Sequence, residues 1–272
     1  MFPRLFFTIL QRSFTFATSD LLFAFVIALA PLVLMLGMRR ELSLGRALRI
    51  ALVTAVAALL GGRLFHVGWE RPRYFLDHPS EILTRLDGLV LYGSLLAGMV
   101  ALHLQIRKLP ARERAKIWDL AAIYGAFTVA MLRISCFAEG CCWGKPTTVK
   151  WAVRYFDPNS SMPWLGIPVH PVQLYESFFG LMIALHLGWV RRRFSDMRGL
   201  LIFLFCLEYS VVRFGLEYFR GDDFRGVNLF LGLSTSQLIS LVVGSVSLLA
   251  LKIRLTGDFS GHPLALSGEG IS

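Results

Sequence analysis

The chain has 272 residues with a formal net charge of +10, yet 55% of them are hydrophobic and only 17% are charged. Soluble globular chains average about 45–50% apolar and about 25% charged residues, so the composition argues against a soluble domain. The apolar residues also fall in blocks long enough for bilayer-spanning helices, which need about 20 residues each. An integral membrane protein is expected.

In chain order, residues 1–16 set Phe2, Leu5, Phe6, Ile9 and Leu10 around Arg4 and Arg12, the character of an interfacial amphipathic segment. Seven apolar spans follow, at roughly 21–38, 50–67, 88–104, 117–137, 172–190, 199–218 and 230–251. The first is read as a permanent helix and not a cleaved signal peptide, because Met38, Arg39 and Arg40 follow a run of spanning length. The connection 138–171 is too long for a simple turn. Its Trp151, Val153 and Tyr155 alternate like a short strand, and Pro158-Asn159 and Pro163 read as turns. With no internal repeat and no low-complexity linker, residues 1–251 are expected to form one transmembrane domain. Residues 252–272 are expected to be a short cytoplasmic tail, disordered over Ser260 to Ser272.

Charge placement sets an orientation. The connections 39–49, 105–116, 191–198 and the tail after 251 carry fifteen Lys and Arg, and the longer opposite set carries ten. Basic residues concentrate in short cytoplasmic connections, so the N-terminus is expected outside and the C-terminus inside. The basicity thus reports topology, and no Lys/Arg stripe interleaved with aromatics points to nucleic acid.

Three basic side chains remain within the spans. Arg63, Arg133 and Arg213 lie near the ends of the outward-running second, fourth and sixth spans. On the inward-running spans the polar residues lie near the beginning: Tyr92, then Gln173 and Glu176, then Gln237. Six helices therefore place polar groups at one depth, in the outer half of the membrane. An intramembrane Arg costs about 2.5–3.5 kcal/mol on insertion scales and requires a partner or a wet cavity. Snorkelling, or structural pairing with Glu176, Glu208 or Glu217, is the alternative to a shared chamber. Tyr209, Arg213, Glu217 and Arg220 recur on one helical face, which is expected to face the chamber. Guanidinium groups suit phosphate recognition, so an anionic phospholipid is the natural ligand.

Several segments resemble the prolipoprotein diacylglyceryl transferase family. Arg133 to Pro146, RISCFAEGCCWGKP, is similar to that family's GRxGNFxNxExxG signature. His170-Pro171-Val172-Gln173-Leu174-Tyr175-Glu176 resembles its HPxQLYE segment, Tyr209 to Arg220 its YxxxRxxxExFR helix, and Leu233-Ser234-Thr235-Ser236-Gln237 its LSxxQ segment. The Met1-Phe2-Pro3 opening and Gly62-Arg63 agree as well.

The resemblance implies an enzyme of the bacterial inner membrane. It would take the diacylglyceryl group from phosphatidylglycerol to the lipobox cysteine of a prolipoprotein signal peptide, forming a thioether and releasing glycerol 1-phosphate. Arg133 and Arg213 would stabilise the phosphate leaving group. Arg63, Cys136, Gly140, Gln173, Glu176, Tyr209, Glu217, Arg220 and Gln237 would bind or orient substrate. No metal or dissociable cofactor is expected; the partners are phosphatidylglycerol or another anionic phospholipid, the signal peptide and membrane lipids.

The departures from the family pattern surround the presumed reaction centre. The family's HGG motif appears as Tyr92-Gly93-Ser94, so its histidine is absent; a tyrosine is a poor base at neutral pH, but Tyr92 is expected at the rim of the site, able to hydrogen-bond the headgroup. Cys136 and Glu139 stand at two Asn positions and Cys141 at the signature Glu. Either another group, such as Glu139 or His170, activates the thiol, or the chain uses a different acceptor or donor; a phospholipid-binding or flipping protein is the non-catalytic alternative. For Cys136, Cys141 and Cys142 four readings stay open: small-residue packing, a disulfide, a covalent role, or a metal site with His170 as the extra ligand. The C-x4-C-C spacing lacks the paired CxxC of a dependable zinc site. The expected architecture is all-α and polytopic: about seven transmembrane helices around an outer-leaflet polar chamber, with a periplasmic loop subdomain over about 138–171.

Overall fold

The structure, a computed structural model, describes residues 5–9, 12–16, 18–39, 41–70, 72–84, 90–158, 160–194, 199–222 and 232–259. It is built on helices: α1 (Thr18–Met38), α2 (Leu44–Phe65), α3 (Pro72–Asp77), α4 (Glu81–Thr84), α5 (Leu91–Ile106), α6 (Ala111–Glu139), α7 (Val172–Arg193), α8 (Leu201–Leu216) and α9 (Thr235–Phe259). Among the described residues, the long helices α1, α2, α5, α6, α7, α8 and α9 each overlap one of the apolar spans. Leu21–Met38, Leu44–Gly68, Ala111–Glu139 and Thr235–Thr256 are long and apolar enough to cross a membrane by themselves. Leu64, Val211 and Val242 are exposed while Glu176 and Arg213 are buried. That inverts the pattern of a water-soluble protein and fits a bilayer as solvent.

Four sequence expectations change. The amphipathic opening is an antiparallel hairpin of β1 (Leu5–Ile9) and β2 (Arg12–Phe16), with Leu5 opposite Phe16; its Phe, Thr and Ile content suits strands. The short strand expected around Val153 reduces to isolated bridges, Val153 and Pro146 each opposite Val169, since prolines at 146, 158 and 168 interrupt the donor row. The last helix continues through Lys252 and Arg254 to Phe259, so the segment after 251 begins as helix; residues 260–272 lie outside the described ones. Finally, α8 stops at Leu216, a 3-10 turn covers Glu217–Phe219, and Arg220 is extended. Arg220 therefore leaves the face shared by Tyr209 and Arg213.

Small residues let the helices approach closely, as association within lipid requires. A Cβ on Gly61 of α2 would sit 2.6 Å from the carbonyl oxygen of Gly93 on α5, and a Cβ on Gly93 2.5 Å from that of Gly61. Gly180 of α7 packs on Ala126 and Ala130 of α6, beside Ser177, whose hydroxyl donates to the Ala130 carbonyl at 2.8 Å. Gly244 of α9 packs on Ser210 of α8. One apolar core joins α1, α2, α5 and α6 around Met38, Ile106 and Ile117, and a second joins α6, α7 and α8 around Ala126, Leu187 and Leu201.

Helix ends fix which end carries the polar groups. The buried Asp119 carboxylate, near the start of α6, accepts from the backbone N–H groups of Gly199 and Leu201 at the start of α8. The end of α6, the start of α7, the end of α8 and the start of α9 consequently share the opposite end. There the loop 138–171 packs as a unit on Phe137, Tyr155, Met162 and Val169, with the Tyr155 hydroxyl donating to the Phe137 carbonyl at 3.2 Å.

Candidate active site

Helix α6 terminates at Gly140 with φ 78°, a left-handed cap whose N–H donates to the Cys136 carbonyl. The chain then runs through Cys141 and Cys142, the latter at φ 57°, a conformation that non-glycine residues seldom adopt. Residues 143–145 lie between two other segments: Lys145 N–H donates to Phe219 O at 2.8 Å, Gly221 N–H to Trp143 O at 3.0 Å, and His170 N–H to Lys145 O at 3.1 Å. A Cβ on Gly144 would lie 2.3 Å from the His170 carbonyl, so this crossing admits only glycine. The cysteine turn is thereby held against α7 and the end of α8.

Arg133 is central. Its guanidinium pairs with Glu176 of α7 at 2.9 Å and approaches the sulfurs of Cys142 at 3.7 Å and Cys136 at 4.0 Å. The same Glu176 oxygen accepts from the Tyr209 hydroxyl of α8 at 2.5 Å. Arg213 is paired too, with Glu217 at 2.6 Å and with the Ser236 hydroxyl of α9 at 3.0 Å. Arg220 binds Asp222 through two nitrogens, its Nε at 2.8 Å. Arg133, Arg213 and Arg220 all act electrostatically on Glu176. Helices α6, α7, α8 and α9 thus converge in one charged cluster, and the ion pairs weighed in sequence for Arg133 and Arg213 are formed.

Two acceptors in this cluster have no hydrogen-bond partner among the described residues. They are Oε2 of Glu176 and Oε1 of Gln173, both on side chains 1% exposed. The other end of the Gln173 amide donates to the Cys141 carbonyl at 2.6 Å, which orients the unpartnered oxygen. An unmatched buried acceptor costs about 1–3 kcal/mol, and more for a charged group. Such atoms are expected where a ligand brings the missing donors.

The remaining expected site residues have structural partners. Arg63 donates to the Glu81 and Ile82 carbonyls of α4 at 3.2 and 3.1 Å and lies over the Phe75 ring. The carboxylate of Glu139 accepts from Ser19 of α1 at 2.6 Å and from Ser161 of the loop at 3.0 Å, tying three segments together. Gln237 forms a capping box with Ser234: its Oε1 accepts from the Ser234 N–H at 3.0 Å, and the Ser234 hydroxyl accepts from the Gln237 N–H at 3.2 Å. At His170, the Trp151 indole donates to the Tyr175 oxygen at 2.6 Å, and the same hydroxyl shares a hydrogen bond with His170 Nδ1 at 3.2 Å. Burial holds the His170 pKa below its ordinary value. The side chain of Tyr92 lies outside the described residues.

The Asp222 partner of Arg220, the Ser236 partner of Arg213 and the Ser19 anchor of Glu139 were missed in sequence, because none belongs to a recognisable spacing. None of the four cysteines forms a disulfide. Those at 136, 141 and 142 place their sulfurs within 4.8 Å of one another.

The fold and site define a multi-pass membrane protein with a buried arginine–carboxylate cluster at one end of its helices. A family profile described as prolipoprotein diacylglyceryl transferase matches residues 8–253. Proteins named phosphatidylglycerol--prolipoprotein diacylglyceryl transferase are similar to this chain. The Clostridium tetani protein is 32% identical over 71% of this chain and 74% of its own length, and the Methylocella silvestris protein 32% over 74% and 73%. The Clostridium perfringens phosphatidylglycerol--prolipoprotein diacylglyceryl transferase 2 is 28% identical over 80% of this chain and 82% of its own length. The chain belongs to the prolipoprotein diacylglyceryl transferase family.

Proposed function

We propose that this chain is a transferase that moves the diacylglyceryl group of phosphatidylglycerol to the lipobox cysteine thiol of a prolipoprotein signal peptide, forming a thioether and releasing glycerol 1-phosphate. The names of its relatives support both substrates. The carrying observation is that two buried acceptors without a hydrogen-bond partner among the described residues, Glu176 Oε2 and Gln173 Oε1, share one cluster with guanidinium groups. A phosphoglycerol headgroup matches that combination, since its phosphate takes guanidinium N–H donors and its glycerol hydroxyls donate to buried acceptors.

In this reading seven helices cross the bacterial inner membrane with the N-terminus periplasmic and the C-terminus cytoplasmic, and the Arg133 cluster occupies an outer-leaflet chamber. Arg133 and Arg213 stabilise charge as the carbon–oxygen bond to phosphate breaks. Because the carbon attacked is tetrahedral, no acyl oxyanion hole is needed. Glu176, Gln173 and Tyr209 orient the headgroup. Arg63, Glu139, Gln237 and His170 hold the elements around it.

Purified protein incubated with phosphatidylglycerol and a lipobox peptide is expected to yield a diacylglyceryl adduct, read by mass spectrometry. Headgroup release without peptide modification points to another acceptor. Lipid binding without turnover points to a binding protein.

A further inference from the structure

The three clustered thiols have no part in the reading above, and the family's histidine has no counterpart in this chain. We propose that Cys136, Cys141 and Cys142 form a three-thiolate zinc site whose fourth position takes the acceptor thiol and makes it a thiolate. This rests on the proposed transferase reading, and it replaces the sequence expectation of no metal.

Geometry carries the proposal. Each thiol offers one ligand atom, and the three lie within 4.8 Å of one another. Zinc–sulfur bonds of about 2.3 Å at the tetrahedral angle set sulfurs about 3.8 Å apart, so the longest edge closes by at most about 1 Å. Among the described residues no His, Asp or Glu completes this group. His170, the extra ligand considered from sequence, lies outside this group, its Nδ1 in hydrogen-bond contact with the Tyr175 hydroxyl at 3.2 Å. Three protein ligands and an open position are the mark of a catalytic zinc site, whereas structural sites hold four.

The surroundings fit the charge. Three thiolates around Zn2+ leave one net negative charge, and the Arg133 guanidinium lies 3.7 and 4.0 Å from two of the sulfurs. Cys142, one of the three, holds a φ of 57°, a conformation that costs a non-glycine residue free energy. The Gln173 amide fixes the Cys141 carbonyl from beneath.

The step balances without an oxidant or reductant. The acceptor sulfur displaces water from zinc and its proton passes to water, since a thiol coordinated to a divalent metal is deprotonated. That sulfur then forms the bond to the glycerol carbon bearing the phosphate. The carbon–oxygen bond breaks, its electron pair leaves with glycerol phosphate, and the thioether, a weak ligand, gives way to water.

The test uses full-length protein in detergent, loaded with Zn2+ or with Co2+ as a spectroscopic substitute. Stoichiometric zinc with three sulfur neighbours by X-ray absorption is expected, rising to four on adding a lipobox peptide but not its Cys→Ser form. C136S, C141S and C142S each weaken zinc binding at least about tenfold, the effect of disturbing even outer-sphere groups, and C206S leaves it unchanged. Wild type that takes up no zinc, or is isolated with a disulfide joining two of the three thiols, overturns the proposal. So does bound metal whose Co2+ spectrum ignores the peptide thiol. Adduct formation at full rate by metal-free protein overturns the zinc site and leaves the transferase reading standing. Zinc and peptide thiol bound together with no adduct formed supports the site and overturns the transferase reading.

Discussion

Glu176 ties α7 to both α6 and α8, because one of its oxygens serves both Arg133 and Tyr209. Breaking a buried ion pair from one side costs about 3–5 kcal/mol, since the surviving charge stays buried. Glu176→Gln is therefore expected to lower stability by about that much in detergent melts. Tyr209→Phe, which removes one hydrogen bond to a charged group, costs about 1.5–3 kcal/mol. A Glu176→Gln loss no greater than that of Tyr209→Phe contradicts the pairing. At His170 the sign is set by burial, which lowers its pKa. Its stabilising contribution is complete above the unfolded value of about 6.5 and is lost as the pH falls through the lower folded value. His170→Gln is expected to flatten the loss of melting temperature between about pH 7 and pH 5, and an unchanged pH profile counts against it.

At the scale of elements, the close crossings rest on particular glycines. Gly93→Leu is expected to separate α5 from α2 and cost about 1–3 kcal/mol through overpacking, with Gly125→Leu, which meets open space, as the quiet control. Equal effects in the two melts contradict the crossing. Gly140→Ala places a Cβ at φ 78° and 3.1 Å from the Tyr155 ring. It is expected to cost about 1 kcal/mol or more through the left-handed cap. The long helices were legible in sequence because unbroken apolar runs locate each one, although α2 and α6 begin before their runs and α9 ends beyond its own. The hairpin at 5–16 was not, because aromatic residues around two arginines suit an interfacial segment and a strand pair equally. The end of α8 was missed for another reason: YSVVRFGLEYFR keeps helical spacing to Arg220, but the pairing of residues 219–221 with 143–145 pulls the chain out of the helix.

For the whole molecule, span direction alone brought Arg133, Glu176 and Arg213 to one end, where Tyr209, placed by its helical face, also meets Glu176. The same reasoning placed Arg63 with them, yet its guanidinium is engaged by α4 carbonyls, because depth in a membrane does not specify which way a helix face turns. The thiol cluster was visible as a spacing only; its meaning depends on the turn at Gly140 and Cys142, which no periodicity encodes. The central claim is that the Arg133 cluster transfers a diacylglyceryl group from phosphatidylglycerol to a peptide thiol. The most direct measurement is the mass of a lipobox peptide after incubation with purified protein and phosphatidylglycerol. The expected result is a diacylglyceryl adduct whose rate falls about 100-fold or more in Arg133→Ala, the effect of removing a transition-state charge partner. An unmodified peptide in the presence of bound lipid, or an adduct formed equally fast by Arg133→Ala, contradicts the claim.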